Sequence, residues 1–177
     1  MRRNFNYSFL SNDKFHVDKN SLERFLKYCL RQCSSSDQMG IFLTETDVYF
    51  LLEVKIESYD GALEPSRFYV EDGEIRDSVF NHPFVRLASE ICGAGHFAEI
   101  QSTTEDSGYG LNIEITKSGF EVEHFDQNIQ VDGKETLYMV AFNSDISEVW
   151  ETVRDFCENS DVDYYINPLE SESMKVL

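Results

Sequence analysis

Residues 48–56 alternate with a period of two, Val48, Phe50, Leu52, Val54 and Ile56 being separated by Tyr49, Leu51, Glu53 and Lys55. That period sends alternate side chains to opposite faces of a strand, so the first set demands an apolar cover. Three segments of helical spacing can supply it. Residues 21–33 place Leu22, Phe25, Leu26, Cys29, Leu30 and Cys33 at intervals of three and four, with Arg24, Lys27 and Arg31 on the opposite face. Asn20 or Ser21 is expected to cap this helix, and residues 34–37 to end it. Pro83 suits the first turn of a second helix carrying Phe84, Leu87, Ala88, Ile91 and Cys92 on one side, with Gly93 as its stop. A third helix is expected to start at Asp145, its cap, and to bury Ile146, Val149, Trp150, Val153, Phe156 and Cys157.

Further strands are expected over residues 39–44, 67–70, 96–101, 111–116, 120–125 and 136–142. Turns are read at Tyr59-Asp60-Gly61, Glu71-Asp72-Gly73, Lys117-Ser118-Gly119 and Asp132-Gly133. The expected fold class is a single α+β domain over residues 1–166, in the order α-βββ-α-ββββ-α. Its three helices cover one face of a mostly antiparallel sheet whose last four strands form a continuous meander. Residues 167–177, with Pro168 and a Ser/Glu mixture, read as a flexible C-terminal tail.

A chain of 177 residues with 41% hydrophobic content, 14 Phe and 9 Tyr has the apolar area for a core, which excludes wholesale disorder. No apolar run has the length of a signal-peptide core or a membrane span, so the expectation is a soluble cytoplasmic protein that does not engage a membrane. Cys29, Cys33, Cys92 and Cys157 show no CxxC and no dense spacing, and are read as reduced thiols, mostly buried.

No motif demands a reaction. His16, His82, His96 and His124 are too dispersed for a metal pattern. Cys92-Gly93-Ala94-Gly95-His96 follows a helix and precedes a strand, which reverses the order of a phosphate-binding loop. Ser107-Gly108-Tyr109-Gly110 lacks the strand and spacing of a nucleophile elbow and reads as a loop. No pair of carboxylates is set apart in environment from the other acids. The reading is therefore no catalytic residues, no metal and no cofactor, with an enzyme lacking any recognisable motif kept as one alternative.

Charge speaks about partners. The first 31 residues carry 7 Lys/Arg against 3 Asp/Glu and the remainder 8 against 30, so a segment of +4 precedes a body of −22 in a chain of net charge −18. Such a body repels phosphates over a Debye length of about 8 Å, which argues against direct nucleic-acid binding by the Arg24/Lys27/Arg31 stripe. That stripe reads as a solvated face, or as a contact to the acidic body of a second copy in a homodimer. Glu114, Glu121 and Glu123 fall opposite the apolar rows of neighbouring strands and so share an outer sheet face. Glu53 and Glu57 occupy the corresponding row earlier in the chain, and Asp126, Asp161 and Asp163 are expected to extend the patch. Tyr164, with Tyr109, Tyr138 and Tyr165, is a candidate aromatic anchor inside the acidic rim.

The function expected from this pattern is a non-enzymatic acidic inhibitor. It would occlude the basic surface of a nucleic-acid-degrading toxin, in the manner of bacterial immunity proteins and antitoxins. A DNA mimic acting on a defence enzyme is an alternative. A further one comes from the coarse element order, which resembles the layout of type III secretion chaperones in topology, while chain length and an extra strand depart from it. That resemblance implies a homodimer with exposed apolar grooves.

Overall fold

The computed structural model describes residues 18–34, 37–45, 50–58, 82–91, 97–116, 119–126, 133–142 and 146–167. The expected strand at 67–70, the turns at 59–61 and 71–73, the glycine-rich residues 92–96, the Asp145 cap and the tail from 168 onward lie outside the described residues, as do His16 and His96.

Helix α1 (Lys19–Gln32) is followed by strands β1 (Met39–Glu45) and β2 (Phe50–Ile56), then by helix α2 (Pro83–Ile91). Strands β3 (Phe97–Thr103), β4 (Gly108–Thr116), β5 (Gly119–Asp126) and β6 (Glu135–Phe142) come next, and helix α3 (Ile146–Ser160) and strand β7 (Asp163–Asn167) close the series. Among the described residues the fold is α+β, with a mostly antiparallel sheet and three helices, and these elements follow the order that the hydrophobic periodicities indicate. Strand β7 is an addition to that reading. It pairs parallel with β1 at one edge of the sheet, and its five residues are too few to show a period.

The sheet order is β5-β4-β3-β6-β2-β1-β7. The expected meander holds for β3, β4 and β5, but β6 returns to pair with β3 rather than β5, which is a Greek-key arrangement. The residues explain this placement. In β6 the run Tyr138-Met139-Val140-Ala141 is apolar on both faces and all four residues are buried, as suits a central strand. In β5, Glu121 and Glu123 alternate with Val122 and His124 and are exposed, as suits an edge.

One sheet face carries Ile41, Leu43, Leu52, Val54, Ala98, Ile100, Leu111, Ile113, Tyr138 and Val140. On it pack Leu22, Phe25, Leu26 and Cys29 of α1, Phe84, Val85, Ala88 and Ile91 of α2, and Val149, Val153, Phe156 and Cys157 of α3. Rings tie the layers: Phe84 lies 5.9 Å from Phe25 and 5.5 Å from Tyr138, and Tyr28 meets Tyr138 edge-on at 5.8 Å. The opposite face is not uniformly polar, for Phe97, Met139 and Ala141 form a second buried apolar cluster there, with Leu51 against it.

Helix ends show local chemistry. The cap of α1 is Asp18, not Asn20 or Ser21, its carboxylate accepting from Ser21 N at 2.8 Å and Ser21 Oγ at 2.9 Å. His82 does more than precede Pro83, since its Nδ1 accepts from Phe84 N at 3.2 Å at the start of α2. Beyond α3, Asp161 adopts φ 54° and Val162 N donates to Cys157 O at 3.2 Å, a Schellman closure made without glycine. Trp150 was expected in the core and is 39% exposed, because its position falls just outside the arc spanned by Val149, Val153, Phe156 and Cys157.

The hairpin between β3 and β4 turns on Glu105-Asp106. Thr104 N donates to Ser107 O at 2.7 Å, and Ser107 N donates to Thr104 Oγ1 at 3.2 Å. Gly108, Tyr109 and Gly110 are thus strand residues and not the loop their composition implies. Among the described residues no helix is long and apolar enough to cross a membrane.

Candidate functional site

The register of β4 against β5 fixes the acidic face. Glu114 stands directly opposite Glu121, and Glu123 opposite Asn112, while Ile113 pairs with Val122 and Leu111 with His124 on the helix-covered side. Glu121 and Glu123 are exposed and Glu114 is half-buried. Directly opposed like charges destabilise a sheet, and among the described residues neither Glu114 nor Glu121 makes an ion pair. The three glutamates therefore form one patch on the outward face, as their alternation indicates.

The other candidates are placed elsewhere. Glu53 shares this face, in the row Glu123–Asn112–Glu99–Met139–Glu53, but four strand spacings separate it from Glu123, about 19 Å at the usual interstrand distance. Glu57 follows the end of β2 and is exposed, its N–H donating to Gln38 O at 3.0 Å. Asp126 pairs with Tyr109 and lies at a register position of the opposite face, because it is an odd number of residues from Glu123. Asp163 belongs to β7, at the sheet edge farthest from β5, and Tyr164 pairs there with Ile41. Asp161 ends α3 beside that same edge strand. Asp126, Asp161 and Asp163 thus do not extend the patch, since alternation and strand order, neither visible in a linear sequence, separate them from it.

The aromatic anchors also rearrange. Tyr138 is fully buried among helix residues and cannot serve. Tyr109 lies on the helix side, its ring stacked 6.2 Å from that of His124. Beside the glutamates on the outward face stands Phe125, half-buried and two positions from Glu123, its ring lying over Gly110 of β4.

A second acidic surface escaped the sequence reading. On α3, Glu148, Glu151, Asp155 and Glu158 are all exposed and spaced three, four and three residues apart, so they form one ridge. The ridge is the polar side of the same amphipathic helix whose apolar stripe packs on the sheet, and its three-four-three spacing is legible in the sequence. Asp155 is 3.7 Å from Arg154, and Trp150 is exposed on the same helix.

The basic stripe of α1 is largely used within the chain. Arg24 meets Glu90 of α2 at 2.8 Å, and Lys27 meets Glu23 at 3.8 Å. Among the described residues no group of three His, Cys, Asp or Glu side chains could hold a metal ion.

The described thiols are poor nucleophiles. Burial raises the Cys29 thiol well above its ordinary value, burial and then Asp37 raise that of Cys33, and burial followed by Glu158 pushes Cys157 up to about 11. Asp37 shifts the other way, held down by hydrogen bonds from the backbone and then the side chain of Ser34.

The sequence matches no protein-family model and no curated protein. Among solved structures it is similar to the N-terminal domain of a DNA repair protein, at 9% identity and a TM-score of 0.42, over 92% of this chain and 51% of that one. This chain thus spans about half the length of that structure, and a likeness at this level carries no functional statement.

Proposed function

We propose that this protein is a non-enzymatic acidic binder of the cytoplasm that neutralises a basic protein, in the manner of an immunity protein or antitoxin occluding a nucleic-acid-degrading toxin. The outward face of β4 and β5 is its docking surface. The observation that carries this reading is the direct opposition of Glu114 and Glu121, with Glu123 exposed beside them. A sheet edge stacked with like charge is a cost in the free protein that a cationic partner removes on binding. A nuclease must present Lys and Arg to phosphate, and an acidic face both steers toward such a surface and covers it, with no cofactor. Phe125 supplies apolar contact within the charged rim.

The test is to immobilise the protein, pass over it a lysate of its native source at low salt, and identify what elutes as salt rises. One basic protein whose nuclease activity vanishes in the complex is the expected result. The triple variant Glu114→Lys, Glu121→Lys, Glu123→Lys should then associate far more slowly with that protein. An unchanged on-rate at low salt removes this face from consideration.

A further inference from the structure

The outward face of the sheet is buried at its centre. Register sets two rows across it, Glu121–Glu114–Phe97–Ala141–Leu51 and Glu123–Asn112–Glu99–Met139–Glu53, so the acidic patch runs directly into the apolar cluster of Phe97, Met139 and Ala141. Phe97 is 1% exposed and Ala141 0%, although α1, α2 and α3 all pack on the other face. A sheet buries a face only against a second layer, and among the described residues no element lies over this one. The face is nonetheless engaged, since Phe42, Glu53, Phe97, Glu99, Glu123 and Phe125 each make a hydrogen-bond, charge or ring contact. Charge selects the cover. Of the longest segments outside the described residues, 59–81 carries six acids against Arg67 and Arg76, and 168–177 carries Glu170 and Glu172 against Lys175. Residues 1–17 carry Arg2, Arg3 and Lys14 against Asp13, with Phe5, Tyr7, Phe9 and Phe15 among them. In an extended run Arg3, Phe5, Tyr7 and Phe9 fall on one side, a cation followed by rings, which matches the change from acid to apolar along the row Glu121–Glu114–Phe97–Ala141. The reach is sufficient: this length of chain spans up to roughly 56 Å, against about 30 Å for the width of the sheet.

We propose that residues 1–17 dock on the outward face of their own sheet, with rings on Phe97 and Met139 and cations on Glu114, Glu121 and Glu123, and cap it until a basic partner displaces them. The segment relieves the opposition of Glu114 and Glu121 in the free protein, and its rings remove apolar surface from water. The proposal rests on the reading of the β4–β5 face as the partner surface, and adds a competitor built into the chain.

Full-length protein is treated at low salt with a water-soluble carbodiimide, which joins an amine to a carboxylate where the two touch, and the digest is read by mass spectrometry. Lys14 should be joined to Glu53, Glu114, Glu121 or Glu123. In protein carrying ¹³C-methyl methionine, the triple variant Phe5→Ser, Tyr7→Ser, Phe9→Ser should shift the Met139 signal and leave that of Met39, which packs on the helix side, in place. The same variant should bind a tetra-lysine peptide about tenfold more tightly by calorimetry, the factor for a face capped nine-tenths of the time. If that variant does not fold, Arg2→Gln with Arg3→Gln carries the tetra-lysine comparison, and the wild-type link needs no variant. Lys14 joined only to carboxylates off this face, or an unmoved Met139 signal, overturns the proposal. Equal tetra-lysine binding by wild type and variant, with no Lys14 link to this face, overturns it while the partner surface stands. A Lys14 link to this face with no tetra-lysine binding by either protein keeps the docked segment and overturns the face as a site for an external cation.

Discussion

The ring of Phe125 on β5 covers Gly110, its direct partner on β4, so closely that a methyl group there would come within 2.7 Å of Cε2 and 2.9 Å of Cε1. Gly110 is thus required by a neighbour and not by its own dihedral angles. Gly110→Ala should cost about 1–3 kcal/mol through overpacking, read as a lower urea midpoint. Its backbone is a strand that any residue adopts, so the double variant Gly110→Ala, Phe125→Leu should recover part of the loss.

Thr136 Oγ1 lies 2.7 Å from Ser58 O and 3.0 Å from Ser102 Oγ. Its single proton goes to the carbonyl, so Ser102 must donate to it, and the hydroxyl bridges β3, β6 and the segment after β2 in one chain of hydrogen bonds. Thr136→Val deprives both neighbours at once and should destabilise by ~1–3 kcal/mol. Adding Ser102→Ala should make the second loss smaller than the first, a non-additivity that a double-mutant cycle measures.

Asp161 holds φ 54° at the end of α3, a conformation that costs a residue with a Cβ roughly 1 kcal/mol and that glycine adopts freely. Asp161→Gly should therefore raise stability by up to about 1 kcal/mol. The same variant leaves binding of a basic partner unchanged if the docking face lies on β4 and β5, since Asp161 sits next to the opposite edge of the sheet. Calorimetric melting and a binding titration check the two statements separately.

The periodicities of the chain made its elements legible, and the limits of legibility have physical causes. Alternation located β2 and the shared face of Glu114, Glu121 and Glu123, because a strand has only two faces. Strand order was not legible: β6 follows β5 in sequence but pairs with β3, a choice made by the two-sided burial of Tyr138 and Met139, which appears only once the sheet is assembled. That order decides which acids are neighbours, and it sets Asp163 on β7 six strands from Glu121 and Glu123 on β5. The hairpin at Glu105-Asp106 lacked a glycine signal because the hydroxyls of Thr104 and Ser107 stitch it. The ridge on α3 was readable from its spacing, whereas the burial of Phe97 and Ala141 on the outward face is a property of packing that no spacing encodes.

The Cys157 thiol, pushed up to about 11 by burial and then by Glu158, links stability to alkaline pH. Between the ordinary thiol value of 9.0 and about 11 the unfolded chain loses this proton while the folded protein keeps it. Stability present below pH 9.0 is therefore lost as pH rises through that window. Cys29, raised in the same direction, adds to the effect. Urea titrations across the window should show a falling midpoint, and Cys157→Ala should flatten the fall even though it lowers the midpoint at neutral pH by leaving a cavity.

Glu121 is a residue whose removal should help the fold and harm the proposed function. It faces Glu114 across the β4–β5 pair with no ion pair for either among the described residues, so Glu121→Gln relieves repulsion and should stabilise by ~0.2–1 kcal/mol. The origin is Coulombic, and the gain should shrink in about 1 M salt, where the Debye length is about 3 Å. An acid kept only for solubility would bring the same gain at no loss of association. A docking acid brings the gain together with slower capture of a basic partner, and the two effects should fade together as salt rises. Paired measurements of urea midpoint and association rate on wild type and Glu121→Gln, at low and high salt, separate these cases: stabilisation with an unaltered rate makes the face a solvated surface, and stabilisation with a slower rate makes it an interface.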